Sequence, residues 1–144
     1  VHAELGWYAV IVTAYAVLTD LYAYGLPLVA MGTVSTATQQ KLLDARNDYA
    51  DDKMRARYKL PLLAPIPESL KQNICQLAAW DVLVIRGYNP QSGADVNIRD
   101  RADMSLKWFD DVERQRCHPN VVESGTESPG YAAPLIISKP QQGW

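Results

Sequence analysis

The side chains in this sequence that could do chemistry are few, and their spacing decides what they could do. The densest carboxylate set is Asp48, Asp51 and Asp52, with positions 48 and 52 on one face of a helix. A divalent metal would ask for more oxygen ligands than these, from a Gly-bearing loop or beside a His, so a solvated helix face is the favoured reading. Asp81 stands next to Trp80 on the stripe drawn by Ile74, Leu77 and Ile85. A carboxylate there needs a hydrogen-bond partner, and a structural bond to Arg or a backbone amide is expected ahead of catalysis. Cys75 beside Ile74 reads as a small core residue, and Cys117 adjoins His118 where a helix ends. A thiol nucleophile would need that His oriented by a third group in a pocket, which adjacency does not supply.

With only Cys75, Cys117, His2 and His118 available, zinc-site spacing is absent, and two isolated thiols fit a reducing compartment. H-E-x-x-H, G-x-G-x-x-G, Walker A and G-x-S-x-G patterns are missing as well. No residue is therefore assigned a catalytic, cofactor or metal role, and no cofactor is expected. What remains is chemistry of contact. Lys53, Arg55, Arg57 and Lys59, with Tyr58 among them, could meet phosphates together with Arg99, Arg101 and Lys107, or could simply match a helix dipole. Trp7, Trp80, Trp108 and Trp144 are many for the length, and Trp108 lies off its helix's core stripe, where an interface or a second core layer would use it.

The elements that must carry these groups follow from composition and periodicity. Over 144 residues, 48% apolar and 21% charged side chains describe a chain that folds as one domain with arms. A net charge of −2 gives no positive field to draw the whole surface onto nucleic acid or anionic lipid. The most apolar run, Gly6 to Leu18, falls short of the ~20 residues a membrane span needs, and no Lys or Arg precedes it as a secretory signal would require. It reads as a buried or subunit-contacting arm, extended by its β-branched Val10, Ile11, Val12 and Thr13.

Thr19-Asp20 would cap a short helix stopped by Gly25 and Pro27. Ser35, Thr36 and Thr38 are cap candidates for a long helix from about Thr36 to Tyr58, with Leu42, Ala45, Tyr49 and Ala56 as its stripe and Leu43, Ala50 and Met54 broadening it. Asp51 stands four residues before Arg55, a favourable pair. Three prolines, Pro61, Pro65 and Pro67, then enforce an extended or turned connection. The next helix, Pro67 to Arg86, places Leu70, Ile74, Leu77, Ala78 and Ile85 on one face, flanked by Val82 and Leu83, and should be central. Beyond a turn-rich loop, Ile98, Ala102, Leu106, Phe109 and Val112 predict a last helix from about Asn97 to Arg116. The tail mixes Pro and Gly with Leu135-Ile136-Ile137 and Trp144, apolar residues that an ordinary solvated tail would not need. The expectation is an all-α core of about four helices, one long, over residues 15–116, with extended arms at 1–14 and 117–144.

The order of phrases adds a resemblance. Tyr15-Ala16-Val17-Leu18-Thr19-Asp20-Leu21 opens the body, Met54-Arg55-Ala56-Arg57-Tyr58-Lys59-Leu60-Pro61-Leu62 ends the long helix, and Ile66-Pro67-Glu68-Ser69-Leu70-Lys71 starts the next. With Ser105-Leu106-Lys107-Trp108-Phe109 and the ending Leu135-Ile136-Ile137-Ser138-Lys139-Pro140, they resemble the Mu-like prophage family of small head-tail joining proteins, chiefly over Tyr15 to Glu113. Val17 replaces a Thr and Ile66 a Val of the family's phrases.

The resemblance implies a virion adaptor, made in the bacterial host cytoplasm and located at the head-tail junction. It would form a homo-oligomeric ring, dodecameric in the family, between the portal protein and a tail or neck completion protein. DNA would pass through the lumen without sequence readout, and no membrane would be involved. Contact residues are assigned from apolar exposure and helix-face charge: Trp7, Tyr8, Ile11 and Tyr15 in the first arm, Tyr131, Leu135, Ile137 and Trp144 in the second, and Arg55, Arg57 and Trp108 on the body. The rival from another class is a small DNA-binding or packaging regulator using Lys53 to Lys59 and Arg99 to Arg101, and a third reading is a helical enzyme using Asp81 or Cys117-His118. Because the core stripes end by Val112, truncation after Arg116 is expected to leave a folded body.

Overall fold

The computed structural model of the chain describes residues 14–124. Its regular elements are helical, with no strand among the described residues. Helix α1 (Leu18–Asp20) runs into a π turn (Leu21–Gly25), and a 3-10 turn (Leu28–Met31) follows. Three long helices complete the body: α2 (Thr36–Met54), α3 (Glu68–Arg86) and α4 (Gly93–Glu113). α3 is central, packing on α2, α4 and the π turn, and α2 also touches α4.

The short first helix is not capped by Thr19 or Asp20. Its N-cap is Val17, and the Asp20 carboxylate reaches back to accept the Val17 amide at 3.0 Å. At the other end Leu26 donates its amide to Leu21 O at 3.0 Å, closing the wide π turn.

α2 begins where the sequence places it: Ser35 Oγ accepts from the Thr38 amide at 3.2 Å. Its buried face is the broadened edge of the predicted stripe, Leu43, Ala50 and Met54, joined by two polar residues. Ala45 and Ala56 are exposed and Leu42 and Tyr49 lie at the flank, whereas Gln39, Leu43, Asn47, Ala50 and Met54 point inward at spacings of four and three. Two of the five are amides, and this is why hydrophobicity alone misplaces the stripe. Both are satisfied. Asn47 Oδ1 accepts the amides of Tyr15 and Ala16 at 3.1 and 3.0 Å while its Nδ2 donates to Ala16 O and Leu43 O. Gln39 donates to Val34 O at 2.9 Å and accepts from the Tyr22 hydroxyl at 2.6 Å.

The helix also stops at Met54 rather than Tyr58, because residues 59–63 are held elsewhere. Leu63 donates its amide to Val122 O at 2.8 Å in an isolated antiparallel bridge, Lys59 N donates to Glu123 Oε1 at 2.9 Å, and Ser124 N donates to Lys59 O at 3.1 Å. The first residues of the predicted C-terminal arm are thus strapped to the proline-rich connection.

α3 buries Leu70, Ile74, Leu77, Ala78, Val82 and Leu83 as its pattern predicts, buries Cys75 as its place beside Ile74 predicts, and adds Ala79. Ile85 is the exception at 55% exposed. It shares a face with Ala78 and Asp81, and that face opens to solvent from Asp81 onward.

α4 starts four residues before Asn97 because Ser92 Oγ caps it, accepting from the Asp95 amide at 3.3 Å. Its stripe runs Ile98, Ala102, Ser105, Phe109, Val112, so Leu106 is exposed and a serine takes its place, donating to Gln76 Oε1 at 2.8 Å. Phe109 is fully buried with Tyr49 edge-on at 5.5 Å.

Candidate functional site

Of the residues singled out for chemistry, Asp81, Asp51 and Asp52 are engaged in structural pairs, and Asp48 is exposed. Arg46 donates from Nε and an Nη to the two oxygens of Asp81 at 2.6 and 3.0 Å, the bidentate geometry that ties α2 to α3. The hydrogen bond to Asp81 holds the Arg46 guanidinium above its ordinary value. Cys75 is fully buried, and burial pushes its thiol up to about 12, which keeps it protonated and unreactive. Cys117 is partly buried and packs at the core's edge, while His118 is exposed. Asp51 accepts from the Tyr15 hydroxyl, so the expected Asp51–Arg55 pair does not form, and Arg55 pairs instead with Asp52 at 2.9 Å. Among the described residues no group of three or more His, Cys, Asp or Glu side chains could hold a metal ion, and no helix is long and apolar enough to cross a membrane.

The contact residues divide three ways. Tyr15 belongs to the core, its burial and its bond to Asp51 raising its pKa, in that order, so it is withdrawn as a surface contact. Arg55 is exposed, Arg57 donates to the side-chain carbonyl of Gln115, and Trp108 is partly buried, edge-on to Phe109 at 5.0 Å in the outer layer of the core. Trp7, Tyr8, Ile11, Tyr131, Leu135, Ile137 and Trp144 lie outside the described residues.

The basic set is split as well. Lys53 reaches across to α4 and bonds Asp110 at 2.8 Å and Glu113 at 3.2 Å, the first of these raising its pKa most. The Lys53–Lys59 cluster therefore sits by the C-terminal end of α4. Arg99 and Arg101 lie on its first half, about 14 Å away along the axis by the helical rise between positions 101 and 110.

The structure builds a concave surface from residues that the sequence marks as helix stops (Gly25, Pro27), core stripe (Ile98) and basic set (Arg101). The Gly25, Leu26, Pro27 and Ala30 segment and the Ala94, Asn97, Ile98 and Arg101 face of α4 wall a groove of about 300 Å³. One clamp sets its width. Arg86, at the end of α3, donates to Ala30 O at 2.9 Å on one wall and to Asp95 at 2.9 and 3.1 Å at the root of the other. Asp95 also accepts the Asn89 amide at 2.9 Å, and that bond, then Arg86, holds its carboxyl below the usual range. Apolar side chains extend the groove's surroundings: Leu28 at 58% and Val29 at 93% exposed beside Pro27, and Met104 at 71%, one helical turn beyond Arg101. The sequence signal was present in Val29 and Met104, which fit no core stripe.

These features define an all-helical protein whose polar side chains are largely spent on holding helices together and whose concave surface is apolar. The chain belongs to the Gp36 family of bacteriophage Mu: the family described as "Bacteriophage Mu, Gp36" matches residues 14–136. That span takes in the whole described body, and the kinship with a Mu-like phage family read from the opening, junction and helix-start phrases holds. Comparison with the curated proteins and with the solved structures returns no match.

Proposed function

We propose that the protein is a non-enzymatic head-to-tail adaptor of a tailed phage virion, a subunit of a homo-oligomeric ring that joins the portal protein to a tail or neck completion protein. The observation that carries this reading is membership of the bacteriophage Mu Gp36 family over residues 14–136, joined to the resemblance of the body's phrases to small head-tail joining proteins. The surface is of a kind that supports it: exposed Leu28, Val29 and Met104 around a groove with a fixed width suit protein contact, and apolar surface grouped in this way marks interaction sites. DNA would thread the ring without being read. Ring size, dodecameric in the resemblance, belongs to the same proposal.

A DNA-binding regulator is the second reading, and the geometry weakens it. Lys53, the first of its basic residues, is held across to α4 by Asp110 and Glu113.

The test is immunogold electron microscopy on purified phage particles, with an antibody against the Gly130 to Trp144 peptide or against a tag. Label confined to the head-tail junction is expected. If mass spectrometry finds the chain missing from the same particles, the adaptor reading fails and DNA binding that weakens steeply with salt becomes the outcome to seek.

A further inference from the structure

The groove's position suggests what occupies it in an assembly. On α3, successive side chains advance by about 100°, so the neighbours of each face can be placed around its axis. Asp81, with Ile74 and Ala78 on the same side, faces α2 through Arg46. Cys75 and Ala79 lie against Gly25 of the π turn, and Gln76 meets Ser105 of α4. The groove lies between the last two directions, and so on the side of α3 away from α2.

The chain enters the body against α2. The amides of Tyr15 and Ala16 both bond to Asn47, midway along α2, and the segment that precedes them is Gly6-Trp7-Tyr8-Ala9-Val10-Ile11-Val12-Thr13, which carries no charge. An apolar segment that leads into α2 and an apolar groove on the side of α3 away from α2 are two different surfaces, and complementarity between two such surfaces is what head-to-tail association requires. The groove's rim also suits an extended chain. Asn97 offers both a donor and an acceptor and Arg101 several donors, and neither has a bonding partner among the described residues, so both can serve the peptide groups of a segment lying over Ile98 and Ala94. Eight extended residues span ~26 Å, enough to bridge from one body to the next.

We propose that the segment Gly6–Thr13 of one copy docks in the groove between Gly25–Ala30 and α4 of the neighbouring copy, with Trp7 or Ile11 as the buried anchor, so that each subunit gives one segment and receives one. This rests on the ring reading above and specifies its subunit contact. The Arg86 clamp is the device that keeps the groove open at a constant width, because it ties both walls to the end of α3.

Cysteine cross-linking of the full chain tests it. Ala9→Cys or Val10→Cys, which together sample both faces of an extended segment, is combined with Asn97→Cys in a Cys117→Ser background, Cys75 being buried. After oxidation with copper phenanthroline, non-reducing gels should show a ladder of covalently linked copies. Peptide mapping should join position 9 or 10 to position 97, and the groove-filling change Ala94→Trp should abolish the ladder while helical circular dichroism is retained. A link formed within single chains would overturn docking on a second copy, and no link in either register would overturn docking in the groove altogether. Native mass measured on the same samples separates the two ideas: an oligomer without the link removes this contact and leaves the ring, while particle labelling decides the adaptor reading independently.

Discussion

Asn47 is the side chain on which the entry of the chain into the body depends. It satisfies two backbone amides and two carbonyls at once, inside a stripe that is otherwise apolar. Replacing it with Leu preserves bulk but leaves the Tyr15 and Ala16 amides buried without partners, and since such groups cost ~1–3 kcal/mol each, a loss of roughly 2–6 kcal/mol is expected in urea unfolding. Titration acts at the same scale, and its sign can be worked out from the shifts. Asp95 and Asp110 are held below the ordinary carboxylate range, by the Asn89 amide with Arg86 and by Lys53 respectively. Their contribution is therefore complete above ~4, the ordinary carboxylate value, and is lost as pH falls through their lower folded values. Tyr15, Tyr49 and Tyr58 are all raised, burial being the first cause of each. Their contribution is complete below ~10, the ordinary phenol value, and fades as pH rises through the higher folded ones. Cys75, raised to about 12 by burial, loses its contribution in the same way from ~8.5, the ordinary thiol value, upward. Calorimetry should find a melting temperature that falls below ~4 and again above ~8.5, and Tyr15→Phe should blunt the upper part of the alkaline fall and leave the acid one.

At the scale of elements, close approach of backbone decides where substitution is tolerated. A Cβ at Gly25 would stand 2.7 Å from Cys75 O and 2.9 Å from Ala79 Cβ, both parts of rigid α3. Gly25→Ala must push the π turn off the central helix, and the destabilisation expected from such overpacking is about 1–3 kcal/mol. Gly93, the first residue of α4 after its Ser92 cap, has nothing within 4 Å of a built Cβ. There Gly93→Ala should stabilise by ~0.4–1 kcal/mol through the unfolded chain. The two alanines compared by denaturant midpoint form a matched pair, and equal effects would contradict the packing described. Helix existence was legible at this level from caps, prolines and periodicity. Faces were less so, because Gln39, Asn47 and Ser105 occupy core positions that hydrophobicity assigns to Leu42, Ala45 or Leu106, and a polar side chain enters a core only when a distant partner satisfies it.

For the molecule as a whole, the division between body and tail lies further along than the core stripes imply. Residues 122–124 hold the 59–63 connection through the Leu63, Lys59 and Ser124 bonds. A chain ending after Ser124 should unfold at the denaturant midpoint of the full chain. One ending after Arg116 gives up about three backbone-level hydrogen bonds and their packing, roughly 2–4 kcal/mol at ~1 kcal/mol each with the apolar contact of Val122. Equal midpoints for the two truncations would show that the strap contributes nothing. The candidate site has the same long-range character: its walls come from residues 25–30 and 94–101, and neither stretch announces the other in sequence.

Alone, the sequence determined the helical class, the cap at Ser35, the central place of the most apolar helix and, through the order of its phrases, the phage family. These depend on neighbours a few residues apart, where spacing reports directly on turn geometry and periodicity. Only the tertiary structure decided that Tyr15 is core, that Lys53 belongs to α4's carboxylates, that Arg86 clamps the groove and that residues 122–124 bind the proline-rich connection. Each of these is a pairing across more than thirty positions, and the free energy of such pairs resides in contacts that no local pattern encodes.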